Sequence, residues 1–313
     1  MLPFVGDLDG SKIHVQAPTD VVFLCGGQVT DLSVKVPKSL RDAFLKIIDN
    51  PALKGRDLIQ AEEITGQINF NAHYQDLLLF ETDLAQITEL ILLFCESEGS
   101  LAELGAFSMV PDIAARLLVV IRDKYWTSDS FVKLGPLKAL ENKHGESAIC
   151  VVDDLDIGMS GKSAESVKID ILKDRLREPI QLRMEKTREP STFNSERSGH
   201  VIKLIVGLIQ EYGALTVEEI ALILKQLAVV RSDGEIRAYL LCAAAVKWVV
   251  EKKKGIRTYY IAHNVRDAAS ITWNGGTDVK NKARRRLLIR EHWKKRDELR
   301  LRGIVEVYGG APA

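Results

Sequence analysis

The stretch ELILLFCESEGSLAELGAFS, residues 89–108, joins an apolar run to a short polar loop and then to a helix-forming segment. In open α/β sheets, ligands sit beyond the carboxyl ends of strands, where helix N-termini aim backbone N–H groups at anions. Glu96, Glu98, Ser100 and Glu103 fall at such a place, with Ser97 and Gly99 between them, and the helix is expected to begin at about Leu101. The same residues have a structural reading. Ser100-x-x-Glu103 has the spacing of a capping box, in which the two side chains satisfy the first amides of the helix. One carboxylate cannot easily both cap and catalyse, so the two readings compete.

A second candidate is VVFLCGGQVTD, where Gly26 and Gly27 follow an apolar run. Paired glycines there let the backbone turn tightly or approach a phosphate closely. The chain has neither GxGxxG after this run nor GxxxxGK[ST], which excludes a dinucleotide fingerprint and a P-loop. Glu81 follows LLLF and opens a helix, either as a ribose ligand or as a favourable N-terminal charge. Gly135 and Pro136 are expected to shape a pocket wall; Phe131 is expected to pack in the core, with the pocket wall as the alternative. His73 and His144 lie in polar loops and read as solvated.

The elements that must position these residues follow from hydrophobic patterning. Runs at 21–25, 91–94, 117–121 and 148–152 are apolar without alternation and are separated by helical patterns, which predicts a parallel sheet covered on both faces and an α/β class. Helices are expected over residues 39–48, 79–88, 101–109 and 131–140. Residues 163–188 are helix-prone and charged, with Pro179 expected to break or kink them. EPSTFNSERSG, residues 189–199, reads as a linker. Beyond it come three helical patterns, HVIKLIVGLIQEYG, LTVEEIALILKQL and DGEIRAYLLCAAAVKW. WVVEKKKGIRTYYIA then reads as a hairpin, so that a winged helix-turn-helix is expected. The expected domains are 1–158, catalytic; 159–199, connector and linker; 200–263, winged helix; and 264–313, a basic tail.

Apolar residues make up 46% and charged residues 27% of the 313, the balance of a protein that buries a core rather than a disordered one. The net charge of zero hides a split. Residues 1–160 hold 13 Lys+Arg against 24 Asp+Glu and the remainder 30 against 19, which makes an acidic half and a basic half. In the basic half, Lys252, Lys253, Lys254 and Arg257 of the hairpin and Arg284, Arg285 and Arg286 of the tail are candidates for phosphate contacts. The alternative is a solvated face or docking onto the acidic half. The third helix offers only Arg237 and Lys247, so backbone contacts without base specificity are expected. Trp273 and Trp293 can stack on unpaired bases or serve as core residues. Cys25, Cys95, Cys150 and Cys242 lie far apart with no metal-ligand spacing, so a reduced cytoplasmic protein without a metal is expected. There is no basic and apolar leader at the N-terminus and no apolar run long enough to span a bilayer.

FLCGG at 23–27, Glu81, ESEGSLAELGAFS at 96–108 and SFVKLGPLKAL at 130–140 occur together in one family, in this order. Over about residues 20–142 the chain resembles the nucleoside deoxyribosyltransferase-like effector proteins of type II retrons; beyond that only the layout, winged helix then tail, is similar. The resemblance implies a toxin of anti-phage defence that works with a reverse transcriptase and its multicopy single-stranded DNA (msDNA, with its noncoding RNA). It also implies that Glu103 is the catalytic glutamate, and that Gly26, Gly27, Glu81, Glu96, Ser97, Gly99 and Ser100 surround the substrate. The family writes the loop with prolines, as PESPGS, where this chain has Cys95 and Glu98, and an extra carboxylate at 98 opposes an anionic substrate.

Breaking a ribosyl N-glycosidic bond builds positive charge on the sugar, which a glutamate can stabilise or attack. A place in the first helical turn is expected to lower the pKa of Glu103 and keep it ionised. No general acid identifies itself, although Glu96 or Glu98 is available. This favours NAD, whose nicotinamide leaves as a neutral molecule, so the leading expectation is hydrolysis of NAD as substrate, with no cofactor. The alternatives are a nucleoside or deoxynucleotide glycosidase or deoxyribosyltransferase, and a non-catalytic nucleotide sensor whose winged helix regulates transcription. A homo-oligomer or higher assembly is expected, because an open single-domain pocket excludes water poorly.

Overall fold

The computed structural model describes residues 2–308 apart from 17–18, 32, 48–49, 51–52, 61, 63–72, 162, 186–189 and 264–265. The chain divides into two compact units, one of Pro18–Ile68 and Leu77–Arg188, the other of Met1–Ala17, Asn69–Asp76 and Glu189–Ala313.

After a first strand, β1 (Leu8–Val15), that belongs to the other unit, the chain builds a five-stranded sheet. Its strands are β2 (Thr19–Cys25), β3 (Asp57–Ile59), β4 (Thr88–Cys95), β5 (Leu117–Arg122) and β6 (Ile149–Val152), in the order β3-β2-β4-β5-β6. Every pairing is parallel. All eight residues of β4 and all six of β5 are buried, as unalternating apolar runs demand of central strands covered on both faces. The α/β class and the strand positions agree with the sequence. The chain leaves β2 toward β3 on one side and toward β4 on the other, so the topological switch point lies where Gly26, Gly27 and Glu96 emerge.

Three helices of this unit matter to the site: α1 (Leu40–Leu45), α2 (Leu77–Ala85) and α3 (Glu98–Met109). A longer one, α4 (Ile169–Glu185), covers the sheet through Leu172, Leu176, Ile180 and Met184, which share a core with Val22, Leu90 and Val120. The segment expected to be a connector is therefore a layer of this unit, and its helix continues through Pro179. Phe131 is 85% exposed, so the core reading of that side chain fails; its ring lies over Gly135 instead.

In the other unit, helices α5 (Ser198–Tyr212), α6 (Val217–Gln226) and α7 (Asp233–Ala245) precede a hairpin, and all three match the sequence patterns. Short strands β7 (Ser191–Thr192) and β8 (Ala214–Leu215) flank α5. The hairpin is β9 (Val249–Lys254) with β10 (Arg257–Ala262), turning at Gly255, whose φ is +61°. The expected tail is not a tail. Strand β11 (Ala269–Trp273) pairs with β1, which also pairs with β7, and this explains why the first residues join this unit rather than the first domain. Helices α8 (Lys282–Arg296) and α9 (Glu298–Tyr308) then pack against α5 and the hairpin. The stretch expected to be a linker, 189–199, begins where the chain passes from one unit to the other, after Arg188, and contains β7 and the start of α5.

Among the described residues no helix is long and apolar enough to cross a membrane.

Candidate active site

The first turn of α3 settles which residues cap it. Ser97 is the N-cap: its Oγ accepts from the Ser100 amide at 3.2 Å, and Ser100 Oγ accepts from the Ser97 amide at 2.9 Å and the Glu96 amide at 3.0 Å. The capping box is thus Ser97 with Ser100, and the helix starts three residues earlier than expected. The Ser100–Glu103 capping box does not form, because Ser97 already occupies that role one turn before, and Glu103 lies in the second turn. Ser100 is buried and committed to the cap, whereas Gly99 is exposed with open space where a Cβ would stand.

Freed from the cap, Glu103 sits in a cluster of ionisable groups. One of its carboxylate oxygens, Oε2, is shielded from solvent and has no hydrogen-bond partner. Burial pushes its pKa up to about 7; the positive charge of Arg41 opposes the rise and the negative charge of Glu62 adds to it. The expected lowering by the helix terminus is overturned, since dipole effects fade within the first turn and desolvation dominates here. Glu81, 6% exposed on α2, is pushed up to about 8, by burial first and then by the charges of Glu103 and Glu62. The buried thiol of Cys25 is raised, by burial first and then by Glu103 and Glu81.

Arg41, on α1, brings the cation to this cluster, and sequence reading missed it. Its guanidinium is 1% exposed; Nη1 donates to Glu62 at 2.7 Å and to the carbonyl oxygens of Gly26 at 3.2 Å and Gly27 at 3.4 Å. Nη2 donates to Glu62 and Gln60, each at 2.8 Å, while Nε is buried with no partner. A buried donor on Arg41 and a buried acceptor on Glu103 are therefore both open, in surroundings where most polar groups are paired. The signal available in the sequence was only an arginine two residues past the Ser39 helix cap.

Glu96 holds α1 in place. Its carboxylate accepts from the amides of Leu40 at 2.8 Å and Arg41 at 3.1 Å. Burial outweighs these bonds and raises its pKa. The glycines fit this packing. A Cβ on Gly27 would stand 2.6 Å from the Glu96 carboxylate, and one on Gly26, whose φ is +134°, would stand 2.6 Å from the Phe94 carbonyl. Glu96, expected near the substrate or as an acid, is thus tied to backbone amides.

Beside this cluster lies a cleft of about 390 Å3, to which Gly27, Glu96, Ser97 and Glu98 contribute together with Lys38, Leu101, Arg122 and Tyr125. Gly26, Glu81, Gly99, Ser100 and Glu103 do not line it. Of the predicted site residues, Gly27, Glu96 and Ser97 line the cleft, Glu81 and Glu103 belong to the carboxylate cluster, Gly26 touches that cluster through its carbonyl bond to Arg41, and Gly99 and Ser100 belong to neither. Among the described residues no group of three His, Cys, Asp or Glu is arranged to hold a metal.

In the other unit the basic candidates fare unequally. Arg285 is 4% exposed, ion-paired with Glu211 and placed 4.4 Å from the Trp273 ring. Arg286 pairs with Glu211 at 3.1 Å, Lys254 with Glu306 at 2.5 Å, Arg257 with Asp297 at 3.3 Å and Arg284 with Asp278 at 3.7 Å. Trp273 and Trp293 are buried, which places both in the core rather than on a surface for bases. Lys252 and Lys253 have no ion pair among the described residues.

Two Escherichia coli proteins, of retrons Ec86 and Ec73, each carrying the name "putative ribosyltransferase/DNA-binding protein", are similar to this chain. The first is 28% identical over 128 residues, 41% of this chain and 39% of that protein. The second is 33% identical over 140 residues, 44% of this chain and 43% of that protein. The matched stretch spans less than half the length of either relative. Residues 37–252, well over half of the chain, match the family of the STM3845 retron effector protein, and they include α1 with Arg41, Glu81, Glu103 and the three helices before the hairpin. The chain belongs to the STM3845 retron effector protein family.

Proposed function

We infer that the unit carrying Glu103 cleaves an N-glycosidic bond of a nucleotide, as the effector activity of a retron, with NAD the leading substrate. The observation that carries this reading is the cluster itself: a carboxylate with an open, buried oxygen beside a second carboxylate and a buried arginine. In the proposed reaction the bond between ribose C1′ and the base breaks, its electron pair leaves with the base, and Glu103 stabilises the cationic sugar or bonds to C1′ before water completes hydrolysis. Glu103, at about 7, is substantially ionised at neutral pH, as a nucleophile must be. Glu81, at about 8, keeps its proton there and can protonate a leaving base.

The proton on Glu81 gives specific support to a second substrate class. An ordinary nucleoside or deoxynucleotide needs an acid, whereas nicotinamide leaves NAD without one. The ribosyltransferase wording in the names of the two relatives fits either substrate.

The second unit reads as a winged helix that meets the retron's msDNA, with α5 to α7 as its helices and the β9–β10 hairpin as its wing. Lys252 and Lys253 are the unpaired cations of that wing, and Ile256 at its tip is 99% exposed. A reverse transcriptase partner and a homo-oligomeric assembly belong to the same reading.

The deciding assay is release of nicotinamide and ADP-ribose from NAD by the full-length protein, alone and with its reverse transcriptase and msDNA, beside Glu103→Gln. Release that disappears in the variant supports both the bond and the residue. Base release from nucleosides but not from NAD moves the assignment to the second class, and no release from any substrate in either assembly overturns the reading.

A further inference from the structure

The cleft of about 390 Å3 is lined by neither Glu81 nor Glu103, and its lining has a composition of its own. Its volume lies at the low end of the roughly 300–1,000 Å3 typical of small-molecule sites. It opens where β2, β4 and β5 end, the edge at which parallel sheets receive nucleotides.

Two cations line it. Arg122, the last residue of β5, is 3% exposed and held by Asp154 through Nε and Nη2 and by the Gly161 carbonyl at 2.7 Å. Its third nitrogen, Nη1, makes no hydrogen bond among the described residues. Lys38 is exposed and has no acidic partner among the described residues. A guanidinium fixed at two nitrogens and an ammonium with no acidic partner among the described residues, both lining one cleft, are groups of the kind that bind phosphate. Glu98 adds an exposed carboxylate, the group that accepts bonds from ribose hydroxyls in nucleotide sites. Tyr125 adds a ring that is 40% exposed, a surface on which a base can stack.

The position relative to Glu103 limits what the ligand can be. Leu101 lines the cleft, and Glu103 is two residues further along α3, about 200° around the helix, so the two sites flank the same helix end.

We propose that the cleft binds a nucleoside monophosphate unit, its phosphate on Lys38 and Arg122, its ribose hydroxyls on Glu98 and its base against Tyr125. This unit is the uncleaved half of a dinucleotide substrate whose other half meets Glu103. The second statement rests on the N-glycosidase reading; the first does not.

The test is titration of the full-length protein with AMP and with adenosine by calorimetry, together with inhibition of NAD cleavage by AMP. AMP is expected to bind at least about ten-fold more tightly than adenosine. Lys38→Ala should remove that difference, Lys38→Arg should restore most of it, and Glu103→Gln should leave AMP affinity unchanged. AMP should also compete with NAD. Equal affinity for AMP and adenosine overturns the proposal, as does AMP binding that is lost in Glu103→Gln and kept in Lys38→Ala. Lys38-dependent binding without competition overturns the link to the substrate. A protein that binds AMP through Lys38 but releases no base from any substrate removes the glycosidase reading and leaves the cleft; an active enzyme that ignores AMP removes the cleft alone.

Discussion

Around Arg300, in the C-terminal unit, buried charge is balanced by design of the fold. The guanidinium is 1% exposed, donates to Glu219 at 2.6 Å, Asp297 at 3.2 Å and the Ala214 carbonyl at 3.2 Å, and stacks 3.8 Å from Trp293. Around Glu103, in the other unit, three carboxylates share the field of one arginine, and two polar atoms remain open. Satisfied networks stabilise and fix a conformation, whereas unsatisfied ones cost stability and persist where a ligand completes them. The contrast separates residues that hold this protein together from residues that act.

The largest break in that comparison comes from the balanced side. Arg300→Ala takes the ion-pair partner from Glu219 and one of two arginines from Asp297, which keeps Arg257 and Tyr259, and removes the contact with Trp293, so a loss of about 3 kcal/mol is expected, read as a lower denaturation midpoint in the full-length protein. A change below about 1 kcal/mol would mean that this network is no more than surface pairing.

On the other side, Glu81→Gln should lower the rate of base release from a nucleoside by about 10²-fold, with a smaller effect on NAD, whose base leaves without a proton. The same variant should become more stable than wild type as pH rises. Glu81 has a folded pKa raised to about 8 from an unfolded value of 4.5, so the folded state binds more protons between these values, and wild-type stability falls as pH climbs through that window. Removing the group removes the fall. Thermal unfolding of wild type and variant at pH 5 and pH 8.5 checks the sign: the gap should open only at the higher pH.

A smaller effect is expected in the pH profile of kcat/KM. Loss of ionised Glu103 should give an acidic limb with an apparent pKa near 7, shifted upward when Arg41 is replaced by Met, because Arg41 lowers the glutamate's pKa. A limb near 4.5 would place Glu103 in water rather than in a buried cluster. The smallest changes belong to the wing. Lys252→Ala and Lys253→Ala should each weaken binding to single-stranded DNA only a few-fold and lower the salt slope by about 1, whereas the ion-paired Arg284 should contribute less.

Several features were legible in the sequence because they are local. Unalternating apolar runs gave the central strands, and a Ser at 39 marked the start of α1. The glycine pair and the ESEGS loop stood at strand ends, where the switch point lies. Local spacing misled where two patterns compete for one helix end. Ser97 and Ser100 are three residues apart, as are Ser100 and Glu103, and only the backbone of the folded loop decides between them. The charge run of 280–302 reads as a basic helix with its arginines open to phosphate, yet the face carrying Arg285, Ile289 and Trp293 is buried.

Taken by itself, the sequence determined the α/β class, four of the five strands of the parallel sheet, the three helices and hairpin of the basic half, the acidic and basic halves and the loop that carries the candidate chemistry, since these follow from residue type and short-range periodicity. Tertiary structure alone decided that Arg41, Glu62, Glu81 and Glu103 share one field, that burial raises Glu81 and Glu103, and that Arg285 and Arg300 are interior. The reason is physical: desolvation and Coulomb interactions depend on distance through the folded chain, and residues tens of positions apart in sequence reveal nothing of that distance until the strands between them are paired.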